Sequence, residues 1–561
     1  MEFLTRRGAA LITAALCAAG AVAGCGGSDG KDGGDGRKGD TAAGPGKLTV
    51  LTPPAKGEVD RVTWALPTGE PTTLDPARTG DLSSGTVVSN LCEGLMQVQP
   101  DFSVKPNLAE SYEQPDPRTL VFTLRDGVTF WDGVEMTADD VVASLKRHTD
   151  PKVQGIAASA FLRVASIRAT GPREVTVKFK EPDAAFLSLM AGVAGVVNQK
   201  AATAKAGKEY GTPRGALMCT GPFRLDRWAA GESIQISANE RYWNADLKPK
   251  VQQLTFRFIP DSSTLTSALL SGEVDGTYNA PVGSLTALAK SPAGTLYQGP
   301  SSASVSFGPT RPTGPAADPR VREALDLSID KEAFVKNVLR GAGEPLKTFT
   351  PPFVYAGSPE KAIYQAGYDA LPDNLKPDPA RAKQLIADAK PAKTPLTIGI
   401  AAGDQLSLQV ATIVQAAGKG LGLTMKIKQL QATEFSALFY DASKRADLDF
   451  VATTGYIEVP SVLNYAPLFV LPQPAGLFNW SDYDNPTATK EIAAAQTATD
   501  PKALAEHFVK AQAAYAPDRL QVSLAVEYER LFLSKKLTGP PASFSYISSP
   551  WAARLGASGR P

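Results

Sequence analysis

Residues 120–133 read Leu-Val-Phe-Thr-Leu-Arg-Asp-Gly-Val-Thr-Phe-Trp-Asp-Gly. Apolar and polar side chains alternate over 120–124, which predicts a half-buried strand. Asp126-Gly127 then favours a turn, because glycine adopts a positive φ without steric cost. A second alternating strand is predicted at 175–179, and Thr137 begins a capping-box-like helix start between the two strands. This part of the chain is therefore predicted to mix helices and strands.

Further along the chain the same kinds of signal continue. Two short strands, 223–225 and 233–237, flank Ala230-Gly231 as a hairpin. From about residue 380, helices alternate with strands, which predicts a parallel sheet covered by helices. The helix begins at Pro379, and the strands that alternate with helices are at 396–400, 425–430 and 448–451.

Composition excludes several classes of function. The chain has 561 residues, a net charge of +1, 43% hydrophobic and 20% charged residues, which is typical of a folded globular protein. Without a basic excess it has no means to neutralise phosphates, so we expect no nucleic-acid partner. Its two histidines, His148 and His507, lack acidic or cysteine neighbours in sequence, and neither a His-Glu-x-x-His nor a Gly-x-Ser-x-Gly motif occurs. We therefore expect no metal, no cofactor and no enzymatic activity.

The N-terminal segment predicts export. Arg6-Arg7 precedes an apolar run at 9–22, and Val22-Ala23-Gly24-Cys25 follows as in bacterial lipoprotein signal peptides. Residues 1–24 are then a signal peptide, and Cys25 is the lipidated (diacylglycerol- or palmitate-bearing) first residue. An ordinary secretory signal cut near Ala23 is the alternative, and the export route, general or twin-arginine, stays open. Residues 25–57 are rich in glycine and proline and predict a flexible tether, with order beginning near Val62.

Two cysteines remain once the signal peptide and the lipid are assigned. Cys17 leaves with the signal peptide and Cys25 carries the lipid, so Cys92 and Cys219 are left. In an oxidising compartment two such cysteines either pair or stay as separate buried thiols. The sequence by itself leaves both alternatives open.

A series of segments then resembles one family, in order and at its spacing, from about residue 60 to 540. The strongest match is 108–133; the others include Pro71-Thr72-Thr73-Leu74-Asp75-Pro76, Cys92-Glu93-Gly94-Leu95, 220–223, 239–243, 270–275, 318–325 and 483–486. The chain resembles the large solute-binding proteins of ABC importers, the dipeptide- and oligopeptide-binding family (extracellular solute-binding family 5).

The resemblance implies an α/β, two-lobed periplasmic-binding-protein-like fold of type II, of the large class with an extra inserted domain, whose lobes are joined by a two-strand hinge. Domain I would be discontinuous, domain II would be an insertion, and domain III would form the second lobe. Cys92 and Cys219 would then lie at the two ends of the insertion, which implies a disulfide at its neck. The implied ranges are 58–90, 217–296 and 522–561 for domain I, 91–216 for domain II and 297–521 for domain III.

The resemblance also implies the function. A lipid-anchored, monomeric binding protein at the outer face of the cytoplasmic membrane would capture a peptide or another small solute between closing lobes. It would deliver the solute to an ABC permease, whose ATPase subunits hydrolyse ATP. The alternatives are a surface lipoprotein that senses solute for a receptor, and an exported hydrolase.

One segment departs from the family pattern. Peptide-binding relatives hold the peptide's amino group with an aspartate in Trp-x-x-Asp-x-x-Asp-Pro, and the corresponding segment here is 453–460. Tyr456 occupies the aspartate position, so either Glu458 takes over its role or the ligand is not an ordinary peptide but an oligosaccharide, a natural product or another neutral compound. Phe307-Gly308-Pro309 likewise replaces the usual Phe-Asn-Thr. The predicted ligand contacts are Tyr456, Glu458, Thr454, Phe307, Tyr278 and Trp480, and for each aromatic residue plain core packing is the alternative.

Overall fold

A computed structural model describes residues 48–439 and 441–559. In these ranges the strands are β1 Val59–Leu66, β2 Met96–Val98, β3 Val104–Pro106, β4 Ala109–Asp116, β5 Thr119–Leu124, β6 Val164–Gly171, β7 Glu174–Phe179, β8 Phe223–Ala229, β9 Ser233–Ala238, β10 Val251–Phe258, β11 Gly276–Thr277, β12 Gly294–Gly299, β13 Ser304–Pro309, β14 Gly343–Pro345, β15 Leu396–Ala401, β16 Met425–Leu430, β17 Phe450–Gly455, β18 Val522–Glu527, β19 Glu529–Ser534, β20 Leu537–Thr538 and β21 Gly556–Ala557.

The α-helices in the same ranges are α1 Leu82–Leu91, α2 Ala138–Arg147, α3 Phe186–Leu189, α4 Lys200–Ala206, α5 Ser262–Ser271, α6 Leu285–Ala289, α7 Pro319–Asp326, α8 Lys331–Asn337, α9 Lys361–Asp369, α10 Pro379–Ala389, α11 Gln405–Gly420, α12 Ala432–Ala437, α13 Val462–Val470, α14 Pro486–Thr497 and α15 Pro501–Tyr515. None of these described helices is both long enough and apolar enough to cross a membrane.

The first sheet has seven strands in the order β12-β19-β11-β1-β10-β9-β8. β1 lies at its centre and pairs in parallel with β10 and β11. The hairpin of β8 and β9, with its turn at residues 230–232, is confirmed. Trp64 of β1 is completely buried and packs on Trp551 near the C-terminus, with 4.4 Å between ring centroids. The C-terminal segment is therefore part of the core beside this sheet.

The second sheet has six strands in the order β14-β18-β13-β17-β15-β16. α10, α11 and α12 precede β15, β16 and β17 in turn, which confirms the predicted alternation from about residue 380. β15 pairs in parallel with β16 and β17, but β13 and β18 join in antiparallel fashion. The sheet is therefore mixed, because strands from distant parts of the chain complete the parallel unit that the local pattern predicts.

A third sheet, β4-β5-β7-β6, contains residues 120–124 of the stretch 120–133 in its strand β5. Its predicted strands at 120–124 and 175–179 are confirmed as β5 and β7. The capping box of α2 is also confirmed, since Thr137 Oγ1 accepts from the Asp140 N–H and the Asp140 carboxylate accepts from the Thr137 N–H at 3.0 Å. Cys92, directly after α1, is bonded to Cys219.

We call the part that carries the seven- and four-stranded sheets the first lobe, and the part that carries the six-stranded sheet the second lobe. The chain crosses between them at 300–303, after β12, and at Tyr528, after β18. The Glu527 N–H donates to the Ala303 carbonyl at 2.9 Å, so the two crossings lie side by side. The predicted two-lobed α/β fold with a two-strand hinge is therefore confirmed.

Residues 48–57 correct the prediction of a tether that extends to residue 57. The Thr49 N–H donates to the Gln298 carbonyl at 2.7 Å, and the buried Thr52 hydroxyl donates to the Pro540 carbonyl at 2.8 Å. Order therefore begins before Val62. The error arose because these residues are held by backbone pairing with distant segments, which their own side chains do not encode. The predicted signal peptide, Cys25 and the upstream part of the tether lie outside the described residues.

Candidate ligand-binding cleft

A cavity of about 70 Å³ lies between the lobes, beside the hinge. One wall comes from α1 and the segment that follows it, and the opposite wall comes from the segment after β17 in the second lobe. Pockets that hold drug-sized ligands usually measure about 300–1,000 Å³, so this cavity is small for a ligand pocket. A dipeptide or any larger solute needs more room than the cavity offers as it stands.

The segment after β17 presents two side chains to this cavity. Ile457 and Val459 are buried at 3% and 1% exposure, whereas the side chains before and between them are half-buried. Those side chains, Tyr456 and Glu458, both line the cavity. The Ser302 hydroxyl in the hinge donates to the Ile457 carbonyl at 2.7 Å, which fixes the segment against the first crossing.

Glu458 is the carboxylate that the first lobe contacts directly. Its Oε1 accepts from the Val193 N–H at 2.9 Å, although 265 residues separate the two in sequence. Burial, the largest effect, raises the pKa of Glu458 from 4.5 to about 7, and the Val193 N–H opposes this rise. The neutral and the charged form of Glu458 are therefore both populated near neutral pH in the closed protein.

Tyr456 also joins the two lobes. Its hydroxyl donates to the Gly80 carbonyl at 3.2 Å, and its ring lies 5.4 Å from that of Phe544. Gly80 precedes α1 and Phe544 belongs to the C-terminal segment, so both partners are in the first lobe. Tyr456 therefore contributes contact area between the two lobes.

Glu93 is a second carboxylate in the cavity wall, and the sequence did not identify it as a site residue. It accepts from Thr220 Oγ1 and the Tyr242 hydroxyl, each at 2.8 Å, and from Trp243 Nε1 at 3.1 Å. Burial raises the pKa of Glu93 above its usual 4.5. All three donors are neutral and belong to the first lobe, so Glu93 organises this wall in whichever position the second lobe takes. Its only sequence signal was the family-like Cys92-Glu93-Gly94-Leu95.

The charged side chains among the described residues that line the cavity are all negative. Its described residues include the two carboxylates, Glu93 and Glu458, and no lysine, arginine or histidine. The neighbouring Arg147 is already paired with Asp75 at 2.7 Å. Among the described residues, no cluster of three or more His, Cys, Asp or Glu side chains could hold a metal ion. The chemistry of the cavity therefore suits a group that is cationic or donates hydrogen bonds.

The structure does not bring the other predicted contacts to this cavity, and it corrects three of them. Phe307 is completely buried against Phe450 in the second-lobe core. Tyr278 stacks on Tyr546 at 3.7 Å and donates to the Pro541 carbonyl. Trp480 packs on Phe439 and under the Arg445 guanidinium. Each is a core residue, because aromatic identity alone does not distinguish core packing from a cleft wall. Thr454 is half-buried on β17, outside the cavity lining.

A wider groove of about 540 Å³ lies on the second lobe, among α8, α10 and α11. It is open to solvent and mostly apolar, with residues of one lobe only in its lining. Movement of the lobes cannot enclose a solute there. The interlobe cavity is therefore the better candidate for solute capture.

Comparisons with known proteins agree with this architecture. A family model described as bacterial extracellular solute-binding proteins, family 5 Middle, matches residues 103–476. The glutathione-binding protein GsiB of Salmonella typhi is 28% identical over 485 residues, which cover 85% of this chain and 91% of that protein.

Two solved structures show the same fold. The oligopeptide-binding protein AppA of Bacillus subtilis, in complex with a nonapeptide, matches with a TM-score of 0.77 at 20% identity and covers 90% of this chain and 100% of its own. The binding protein AgaA of A. tumefaciens R10, in complex with agropinic acid, matches with a TM-score of 0.77 at 22% identity, over 89% of this chain and 99% of its own. The fold is thus the type II periplasmic-binding-protein fold that the sequence predicts.

Proposed function

The chain belongs to the bacterial extracellular solute-binding proteins of family 5, the solute-binding components of ABC importers, and from this premise we propose that it captures a solute with a free amino group. The solute would be a short peptide or a peptide-like compound, held between the lobes and delivered to an ABC permease. One observation carries the proposal: the Glu458 carboxylate faces the interlobe cavity, and no lysine, arginine or histidine of the described residues lines that cavity.

Electrostatics favour an ammonium group at Glu458. A carboxylate enclosed in protein is costly unless it is paired, and here the groups that face it are neutral, namely the Val193 N–H at 2.9 Å and the Ser548 hydroxyl. An ammonium group brings an opposite charge and three donors, and charge-assisted hydrogen bonds are about twice as strong as neutral ones. Glu458 would thus take over the role of the aspartate that Tyr456 replaces.

The relatives support this class of solute. GsiB is named as a glutathione-binding protein, and AppA is in complex with a nonapeptide. Glutathione is a peptide with a free amino group, and a nonapeptide is a peptide as well. The AgaA ligand, agropinic acid, is not a peptide. A single non-peptide solute is therefore the alternative, and native mass spectrometry distinguishes it from a set of peptides.

We further propose that capture works by movement about the two crossings at 300–303 and Tyr528. The two crossings shift the implied boundaries, because β12 extends to Gly299 in the first lobe and β18, Val522–Glu527, lies in the sheet of the second lobe. Domain I would therefore comprise 48–90, 217–299 and 528–561, domain II 91–216 and domain III 304–527. Opening the lobes separates Glu458 from Val193 and makes room for the solute, and closing encloses it. Groups from both lobes then contact the solute, so that its binding energy favours the closed form.

The remaining parts of the proposal concern location. Cys25 would carry a lipid that holds a monomeric protein at the outer face of the cytoplasmic membrane, beside its permease and ATPase subunits. The supporting observation is the pattern of Arg6-Arg7, an apolar run and Val22-Ala23-Gly24-Cys25. Metabolic labelling with a palmitate analogue tests it, with Cys25→Ser as the variant that loses the label.

The solute class is tested first by native mass spectrometry of the purified protein. A heterogeneous set of short peptides supports the proposal, whereas one defined mass without an amino group contradicts it.

The role of Glu458 is tested by calorimetric titration with trialanine and with N-acetyl-trialanine, which lacks the ammonium group. We expect wild type to prefer trialanine and Glu458→Gln to lose that preference, since loss of a charged partner costs about 1.5–3 kcal/mol, or roughly 10- to 150-fold in Kd. Glu110→Gln, at an exposed position on β4, is the matched control. Equal binding of both peptides by wild type would refute the assignment.

A further inference from the structure

We propose that Gly192 determines whether the two lobes can close. Because Gly192 has no side chain, the Val193 N–H of the first lobe can reach the Glu458 carboxylate of the second lobe. A side chain at position 192 would hold the lobes apart. Gly192 and Val193 follow α3 and line the interlobe cavity. The inference rests on the proposed function in one respect, because it takes lobe closure as the step that retains the solute.

The space around Gly192 singles it out. A Cβ built on its backbone would lie 2.7 Å from Glu458 Oε2, 2.8 Å from Val459 Cγ2 and 2.9 Å from Glu458 Cδ. All three atoms belong to the second lobe, so the tightest contacts are between the lobes. Contacts under 3.0 Å essentially never occur around a real Cβ, and one of the partners must therefore move.

The backbone at this position does not itself require glycine. Gly192 has φ −101° and ψ −164°, an extended conformation that alanine adopts without strain. Gly195, three residues on, differs in this respect, because a Cβ there would lie 2.0 Å from the Met190 carbonyl oxygen of its own lobe. Gly195 is therefore required for the fold of the first lobe, whereas Gly192 is required only where the second lobe docks.

Neither way of relieving the contact preserves the closed interface. Glu458 is flexible and could turn its carboxylate aside, but this would break its hydrogen bond to the Val193 N–H. Val459 is β-branched and buried at 1% exposure, so its Cγ2 has little freedom to withdraw. A methyl group at 192 thus breaks the hydrogen bond between Glu458 and the Val193 N–H or separates the lobes, and either change weakens the closed interface.

The test compares three variants by small-angle X-ray scattering, free and with trialanine, and by calorimetric titration with trialanine. Gly192→Ala introduces the methyl group. Gly283→Ala is the matched control, because a Cβ there meets no atom within 4 Å. Glu458→Gln removes the charge but keeps an amide oxygen that can accept from the Val193 N–H.

We expect Gly192→Ala to keep the melting temperature of the free protein, to have a larger radius of gyration than wild type with trialanine present, and to bind trialanine about 10- to 100-fold more weakly, the range that overpacked contacts give. Gly283→Ala should match wild type in every measurement. At saturating trialanine, Glu458→Gln should close as wild type does and yet lose the preference for a free amino group.

The outcomes separate the two proposals. If Gly192→Ala has the same radius of gyration and the same affinity as wild type, the inference about closure is overturned, whatever Glu458→Gln does. If Glu458→Gln binds trialanine as wild type does while Gly192→Ala stays open, the assignment of the amino-group partner fails and the closure inference holds. A large loss of melting temperature in Gly192→Ala would also overturn the inference, because it would show that glycine is needed within the first lobe.

Discussion

Lowering the pH from 8 to 5 is expected to shift the ligand-free protein towards its closed form, because closing buries Glu458. In the open form Glu458 meets solvent and has its ordinary pKa of 4.5, whereas burial in the closed form raises the pKa to about 7. A carboxyl group whose pKa is higher in one form favours that form at low pH. The advantage is complete below pH 4.5 and is lost as the pH rises through about 7.

The size of this effect follows from the two pKa values. Between pH 5 and pH 8 they change the closing equilibrium by about 2.5 kcal/mol, or about 70-fold. This is an upper value, since the Glu458 side chain is partly open to the cavity. Glu458→Gln has no proton to exchange at this position and should close to the same extent at both pH values.

Small-angle scattering of the ligand-free protein across this pH range measures the prediction directly. The radius of gyration of wild type should fall as the pH is lowered, and that of Glu458→Gln should change much less. Glu93 and Glu529, whose pKa values are also raised by burial, stay in both proteins, so the difference between the two curves isolates Glu458. Identical curves, or a wild type that expands on acidification, would refute the reasoning.

Three further predictions concern stability, measured by thermal and denaturant unfolding. Replacing both Cys92 and Cys219 by serine removes a disulfide between residues with a sequence separation of 127. In the loop-entropy model this lowers the free energy of unfolding by about 5 kcal/mol, and an unchanged unfolding midpoint would contradict the prediction. Glu93→Gln should destabilise the first lobe by about 1–3 kcal/mol, since its amide faces neutral donors that need an acceptor. Asp326→Asn should lower the free energy of unfolding by about 3–5 kcal/mol, because it breaks a fully buried ion pair. Asp318→Asn, in an exposed ion pair, should lower it by under about 1 kcal/mol. Equal losses in the two variants would contradict the prediction.

Local patterns in the sequence were sufficient for much of the fold. The strand at 120–124 alternates in polarity and the helix after Thr137 has its cap, so neighbouring residues carry the whole signal. The mixed second sheet was not predictable in this way, because β13 and β18 come from segments more than 200 residues apart. Residues 48–57 were missed for the same reason, since their partners, Gln298, Pro540 and Ala557, lie far along the chain.

The cleft was predictable in part. Tyr456 and Glu458 line the cavity, and they were predicted from the segment that ends at Pro460 and resembles the family's aspartate segment. Phe307 and Trp480 were chosen as aromatic residues, and nothing in the sequence tells which side of a strand or loop faces a core. Val193 contributes only a backbone N–H and Gly192 contributes only space, so neither has a side-chain signal that sequence analysis could detect.

The pairing of residues 48–57 has a mechanical consequence. A pull applied at residue 48 passes through the contacts of Thr49 with Gln298 and of Thr52 with Pro540, all of which lie in the first lobe. The force is therefore transmitted to the first lobe and not through either crossing of the hinge. Tension on the upstream chain then pulls on the first lobe alone and leaves the angle between the lobes unchanged. The proposed movement of the second lobe, and with it the capture of solute, would therefore be independent of tension on the upstream chain.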